Sequence, residues 1–298
     1  MSGAVSGAVT GGDPIRRRAV VTSAIERLRA AGVASPEHDA AELLAHVLGT
    51  TRSGLATVEE IGASAIEEYD ALVARRVARE PLQHLTGTVG FRHVELAVGP
   101  GVFVPRPETE LLAGWAVEQA AALVATGLDA PVVVDLCTGS GAIARAIADE
   151  VPRARVHAVE LDEGAHRWAA RNLAETSVDL RLGDMATAFD DLLGAVDVLT
   201  CNPPYIPLEA WESVAPEARD HDPHLALFSG ADGLDAIRVL ERRAAVLLRP
   251  GGVVGFEHAD VQGESAPAVF AAGGRWADVR DHADLAGRAR FTTARLAR

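Results

Sequence analysis

Lysine is absent from this chain. All 28 basic residues are arginines, set against 42 acidic ones, for a net charge of −14. That absence excludes a Walker-type phosphate lysine, a Schiff-base lysine and a lysine general base. The acid excess argues against broad duplex binding, which depends on neutralising phosphates; Arg16-Arg17-Arg18 is the one local basic run singled out. Cysteine is scarce: Cys137 and Cys201 make no disulfide framework and fit a reducing compartment. The ten histidines show no paired metal spacing, and the nearest approach, His221-Asp222-Pro223-His224, reads as a solvated loop, so no metal is expected. No apolar run reaches the ~20 residues a membrane span requires. Residues 1–13 are rich in Gly, Ala and Ser without a basic segment leading into an apolar block, so a frayed tail is expected rather than a signal peptide, and a cytoplasmic location follows as the default.

What is present is a globular composition, 48% hydrophobic and 23% charged over 298 residues, enough for one large domain and a smaller one. Residues 14–87 carry helical patterning: Pro14 suits a first helical turn, Ser35-Pro36-Glu37 opens a second helix that Gly49 stops, and Ser64-Ala65-Ile66-Glu67 reads as a capping box. Ile66, Tyr69, Leu72, Val73 and Val77 would form the buried stripe of that third helix. This bundle carries no chemistry of its own; it is either a partner-recognition domain or a packing cap. At 88–104 the period changes to that of a β-hairpin linker. From 105 to 298 the pattern becomes βαβ alternation, with strands at 132–135, 156–160, 178–182, 196–200 and 253–257 and helices between them. It predicts an α/β fold, a doubly wound and mostly parallel sheet, with 288–296 returning as an antiparallel edge strand. A turn is expected at Pro250-Gly251-Gly252. In Pro105-Arg106-Pro107 the arginine is held extended by the following proline, to contact a substrate or, as the expected pairing, to meet Glu108 or Glu110.

Two polar loops follow apolar strands. The first, Asp135-Leu136-Cys137-Thr138-Gly139-Ser140-Gly141, opens a helix, and Glu160 ends the next strand where a ribose hydroxyl would sit. The loop lacks the full Gly-x-Gly-x-x-Gly phosphate fingerprint, and a carboxylate at Asp135 would repel a pyrophosphate. An amino-acid-bearing nucleoside with an amine and a sulfonium, such as S-adenosylmethionine, suits it better. Asp184 and Met185, after the third strand, are placed to accept an adenine amine and to pack on its ring; a turn or cap role for Asp184 is the alternative. The second loop is Asn202-Pro203-Pro204-Tyr205. Its prolines fix φ and donate nothing, leaving carbonyls free, Asn202 adds a side-chain acceptor and Tyr205 an aromatic face: a stiff pocket for a planar NH2 group. Cys201 beside it reads as a small buried filler.

Taken together, Asp-Leu-x-Thr-Gly-Ser-Gly, the acid ending the next strand, Gly-Asp and Asn-Pro-Pro-Tyr resemble a class I S-adenosylmethionine-dependent methyltransferase acting on a planar nitrogen. Phe91, the Val104–Glu110 segment, Pro223-His224-Leu225-Ala226-Leu227 and Gly230-Ala231-Asp232-Gly233-Leu234 narrow the resemblance to the HemK/PrmC-type family, which methylates the glutamine of the Gly-Gly-Gln loop in peptide-chain release factors. The resemblance covers nearly the whole chain. It implies that 14–87 recognises the release factor, that Cys137, Thr138, Gly139, Ser140, Gly141, Glu160 and Met185 hold S-adenosylmethionine, and that Asn202 to Tyr205 grip the glutamine. In the catalytic reading, Asn202 Oδ1 and the Pro203 carbonyl accept the two N–H bonds while Tyr205 packs on the amide plane, with no general base needed before attack. Cys137 stands where the family commonly has Gly, and Met185 where it often has an aromatic; both are expected to be tolerated. A monomer without direct nucleic-acid contact is expected. The competing readings are an N-methyltransferase on DNA or RNA bases, which would need a flipped base and a basic surface, and a catalytically silent cofactor-binding scaffold.

Overall fold

A computed structural model describes residues 15–297. The expected 1–13 tail and Pro14 lie outside the described residues. The chain divides into two compact units between Gly87 and Thr88.

The first unit is helical. A two-residue strand β1 (Ile15–Arg16) leads into α1 (Arg17–Ala30), followed by α2 (Pro36–Val47), a second short strand β2 (Glu60–Ile61) paired antiparallel with β1, α3 (Ala63–Val77) and α4 (Leu82–Thr86). Leu28, Leu43, Leu44, Tyr69 and Val73 are fully buried at its centre, while Ile66, Leu72 and Val77 pack from the margin. The Tyr69 hydroxyl donates to the Ala40 carbonyl at 3.0 Å, and a buried Arg76–Asp39 pair at 2.8 Å crosses from α3 to α2. The expected capping box does not form. Helix α3 begins at Ala63 with Gly62 as its N-cap, so Ser64 already has a helical backbone and cannot cap.

The second unit opens with a hairpin, β3 (Thr88–Phe91) and β4 (Val94–Ala97), then α5 (Thr109–Ala125). The alternating run follows: β5 (Val132–Leu136), α6 (Ala142–Glu150), β6 (Arg155–Glu160), α7 (Glu163–Leu173), β7 (Asp179–Leu182) and β8 (Val196–Cys201). After two short helices, α8 (Pro216–His221) and α9 (His224–Leu227), come α10 (Asp235–Leu247), β9 (Leu248–Glu257), α11 (Ser265–Ala271), β10 (Trp276–Ala283) and β11 (Ala289–Leu296). The hairpin is no free linker: Phe91 and Leu96 are buried against α5 and α6, and Asn172 of α7 brackets Ala97 with hydrogen bonds at 2.8 and 2.9 Å.

The sheet order is β10-β11-β9-β8-β5-β6-β7. Strands β5 and β8 are buried at every position, as strands covered by helices on both faces must be. One apolar layer, with α5, α6 and α7, fills one face; α10 and α11 fill the other. Strand β11 is antiparallel to both neighbours and lies one place in from the edge. The edge itself is β10, whose Asp278, Arg280, Asp281 and His282 show no apolar alternation to announce a strand. Pro250-Gly251-Gly252 does not end a turn before β9 but forms a bulge inside it, between the pairs Val196↔Leu248 and Val198↔Val253. The sheet reverses its winding between β5 and β8, and a crevice opens there beyond the carboxyl ends of the strands. Among the described residues, no helix is long and apolar enough to cross a membrane.

Candidate active site

That crevice is a cavity of about 310 Å³, within the range of small-ligand sites. The β5–α6 loop forms its floor. Cys137, Gly139 and Gly141 have φ of +57°, +58° and +84°, so the loop alternates through left-handed backbone. Cys137 adopts the glycine-type conformation despite its Cβ, and its Sγ lies 3.5 Å from Met185 Sδ. Cys137, Thr138, Gly139 and Ser140 line the cavity; Gly141 does not, being the N-cap of α6.

Asp135 is placed differently from expectation. Its carboxylate does not reach the cavity but is fully buried beneath the loop, accepting from Thr138 Oγ1 at 2.6 Å and Thr200 Oγ1 at 2.8 Å. Burial pushes its pKa up to about 6 against the opposing effect of those hydroxyls. It acts on the loop from below, because it stands in register with Thr200 on the sheet face where α6 begins. Glu160, at the end of β6, does line the cavity; Gly139 N donates to its Oε2 at 2.8 Å and Asp162 N to its Oε1 at 2.9 Å. Burial raises its pKa as well. Asp184 and Met185 lie on the wall beyond β7, where Asp184 Oδ1 also accepts from Ala186 N at 2.8 Å and so caps its own turn.

The opposite wall is the loop after β8. Asn202, Pro204 and Tyr205 line the cavity and Pro203 does not. Asn202 Nδ2 donates to Thr109 Oγ1 at 3.4 Å, Thr109 Oγ1 donates to Glu257 Oε2 at 2.7 Å, and the Tyr205 hydroxyl donates to Glu257 Oε1 at 3.1 Å. Glu257 is fully buried, and that burial raises its pKa although both hydroxyls and Arg290 oppose it. The Tyr205 carbonyl is taken by Gln262 Nε2 at 3.0 Å. Gly233 packs so closely that a Cβ would sit 2.2 Å from this same carbonyl. Among the described residues no hydrogen bond ends on Asn202 Oδ1 or on the Pro203 carbonyl.

Several lining residues were not expected in the site: Phe103, Ile143, Leu161, and also Thr109 and the α8–α9 segment, whose residues carried the family resemblance without a site role. Arg106 does not pair with Glu108 or Glu110. It reaches Asp222, 116 positions away, at 2.6 Å, and stacks 4.8 Å over the Phe103 ring. Asp222 thus leaves the expected solvated loop and points inward with a fully buried side chain. The usable signal for Glu257 was an acid ending the apolar run of β9, the same pattern as Asp135 and Glu160.

Two family models match: the PrmC N-terminal domain over residues 19–87 and a methyltransferase domain over 133–221. A release factor glutamine methyltransferase of Streptomyces coelicolor is 60% identical over 94% of this chain and 98% of its own length. The chain belongs to the release factor glutamine methyltransferase family. A second member of that family, from Mycolicibacterium smegmatis, is 46% identical over 95% of this chain and 99% of its own. A 4-amino-L-phenylalanine/4-methylamino-L-phenylalanine methyltransferase of Streptomyces pristinaespiralis is 48% identical, over 68% of this chain and 70% of its own length. Among solved structures, the hMettl16 catalytic domain in complex with an RNA hairpin superposes with a TM-score of 0.53 at 14% identity, over 68% of this chain and 75% of that one, a likeness of fold alone.

Proposed function

We propose that this chain methylates the side-chain amide nitrogen of the glutamine in the Gly-Gly-Gln loop of peptide-chain release factors, using S-adenosylmethionine. The observation that carries the reading is the 60% identity to a release factor glutamine methyltransferase over nearly the full length of both chains. The lining fits the cofactor: Glu160 and Asp184 are anionic, suiting a ribose diol, an exocyclic amine and a cationic sulfonium while repelling a diphosphate. Cys137 to Ser140 would hold the methionine end, Glu160 the ribose, and Asp184 with Met185 the adenine. Bound there, S-adenosylmethionine supplies an electrophilic methyl group on a sulfonium that leaves as a neutral thioether.

Everything else falls to the protein. An amide nitrogen is a poor nucleophile because its lone pair is delocalised into the carbonyl. Asn202 Oδ1 and the Pro203 carbonyl, both without a hydrogen bond among the described residues, would take its two N–H bonds and aim that lone pair at the methyl carbon. Transfer of the methyl to this nitrogen would leave the bonding electron pair on the sulfur and one amide proton for water to take up. Positioning can lower such a barrier by ~7–11 kcal/mol, against ~1 kcal/mol for one neutral hydrogen bond, so geometry dominates. Developing positive charge meets acceptors already in place. Tyr205 packs on the amide plane. Because the lining residues all come from the second unit, the helical unit is left for recognition of the release factor.

The test is transfer of radiolabelled methyl to purified release factors, with tRNA, rRNA, DNA and 4-amino-L-phenylalanine in parallel. The last arm addresses the 48%-identical relative, whose named substrate also offers a planar NH2. Label confined to the release factor, and lost in Asn202→Ala with cofactor affinity kept, is the expected outcome. Label in nucleic acid or in the amino acid alone would overturn the assignment.

A further inference from the structure

The buried polar chain behind Asn202 has a direction. Glu257 ends β9 and Thr109 begins α5, and neither is a neighbour of Asn202 in sequence. An ionised carboxylate can only accept hydrogen bonds. Glu257 therefore compels Thr109 Oγ1 and the Tyr205 hydroxyl, at 2.7 and 3.1 Å, to donate to it. Once Thr109 has spent its one proton on Glu257, its oxygen can only accept. It receives Asn202 Nδ2 at 3.4 Å, and the amide is left with Oδ1 unspent. An asparagine side chain is nearly symmetric in shape, so its surroundings decide which end faces which way.

We infer that Glu257, acting through Thr109, is a positioning residue that sets the amide orientation of Asn202, so that an oxygen and not an NH2 is offered to the substrate amide. The inference rests on the proposed role of Asn202. A flipped Asn202 would present donors to a substrate that itself carries two N–H donors, and the nucleophile could not be aimed. The same carboxylate holds Tyr205, so one buried group orders both side chains of this wall. Burial of a carboxylate this deep costs stability unless it is fully hydrogen-bonded, and its partners here are the two hydroxyls of the site itself. The charge of Arg290 on β11 favours the ionised Glu257, and the charge of Glu108 opposes it.

Glu257→Gln is nearly isosteric but can donate to Thr109, releasing the threonine proton toward Asn202 and allowing the flip. Thr109→Val removes the relay; Thr109→Ser retains it. With a release factor as substrate, kcat should fall about 10²-fold in Glu257→Gln and Thr109→Val, the scale of a misplaced reacting group. The Kd for S-adenosylhomocysteine and the KM for the release factor should stay within about threefold, and Thr109→Ser should recover most of the rate lost in Thr109→Val. Independently of any substrate, the side-chain amide signals of Asn202, assigned by their loss in Asn202→Ala, should shift in Glu257→Gln in 15N-labelled protein. Unchanged Asn202 signals overturn the inference, as does wild-type kcat in Glu257→Gln. So does a rate loss that Thr109→Ser fails to rescue and that follows cofactor affinity down. Failure of the wild type to methylate any release factor would instead sink the proposed function, and the amide signals would still decide the orientation.

Discussion

Replacing Arg106 by Met should loosen the cavity rather than unfold the protein. The methionine keeps an apolar stem against Phe103 but strips the partner charge from Asp222, whose side chain is fully buried while that of Arg106 is 33% exposed. Breaking a buried ion pair from one side costs about 3–5 kcal/mol, and the exposure of Arg106 reduces this to about 2 kcal/mol. The strain falls on the α8–α9 segment, because Asp222 joins those helices, and Ala218, Pro223 and Leu225 of that segment line the cavity. A loss of about 2 kcal/mol from the conformation in which this segment lines the cavity corresponds to about 30-fold weaker cofactor binding.

The pH dependence follows from the same pair. Burial already pushes Asp222 up to about 6 despite the guanidinium, and without it the carboxyl rises further. A carboxyl whose pKa is raised by burial binds its proton more tightly in the buried position, so this packing of Asp222 is favoured at low pH and weakens as pH rises through that value. Titration calorimetry with S-adenosylhomocysteine should therefore show the Arg106→Met defect in full at pH 8 and much reduced at pH 5.5. Arg106→Met/Asp222→Asn should recover most of the affinity at pH 8, since a neutral amide needs no counter-charge. Affinity within threefold of wild type for Arg106→Met at pH 8, or no recovery in the double variant, would refute the reasoning.

Asp135 carries a second pH signature: its pKa is pushed up to about 6, so its contribution to stability is complete below about pH 4 and is lost as pH rises to about 6, a change of about 3 kcal/mol. Denaturant titrations of wild type and Asp135→Asn should show their difference moving against the wild type by that amount between pH 4 and 7; a constant difference would refute it. At the nitrogen site, Gly233→Ala should destabilise by about 3 kcal/mol or more and abolish transfer, because φ is +75° and the added Cβ meets the Tyr205 carbonyl at 2.2 Å. By contrast, Cys137→Gly should raise stability by up to about 1 kcal/mol, relieving a left-handed residue at φ +57°, a gain that thermal denaturation would register.

The sequence by itself determined the layered fold and the identity of the two loops. Period-two and continuous apolar runs mark β5, β6 and β8 because strands buried on both faces admit little else, and the residues that break them, Cys137–Gly141 and Asn202–Tyr205, are necessarily delivered to the carboxyl edge. Strand β10 escaped because an exposed edge strand imposes no apolar alternation, and the capping box at Ser64 failed because helix α3 gained a further residue before it. The tertiary structure alone decided which polar groups do what. Asp135 looked like a ligand contact and is a buried strut, since the fold brings Thr200 beside it and folds Thr138 back over it, so both hydroxyls take up its carboxylate. Arg106 finds Asp222 instead of its neighbours in sequence, and Asn202 is steered from Thr109 and Glu257, 93 residues before it and 55 after. Hydrogen-bond direction is a property of atoms brought together by folding, and no local pattern of residues encodes it.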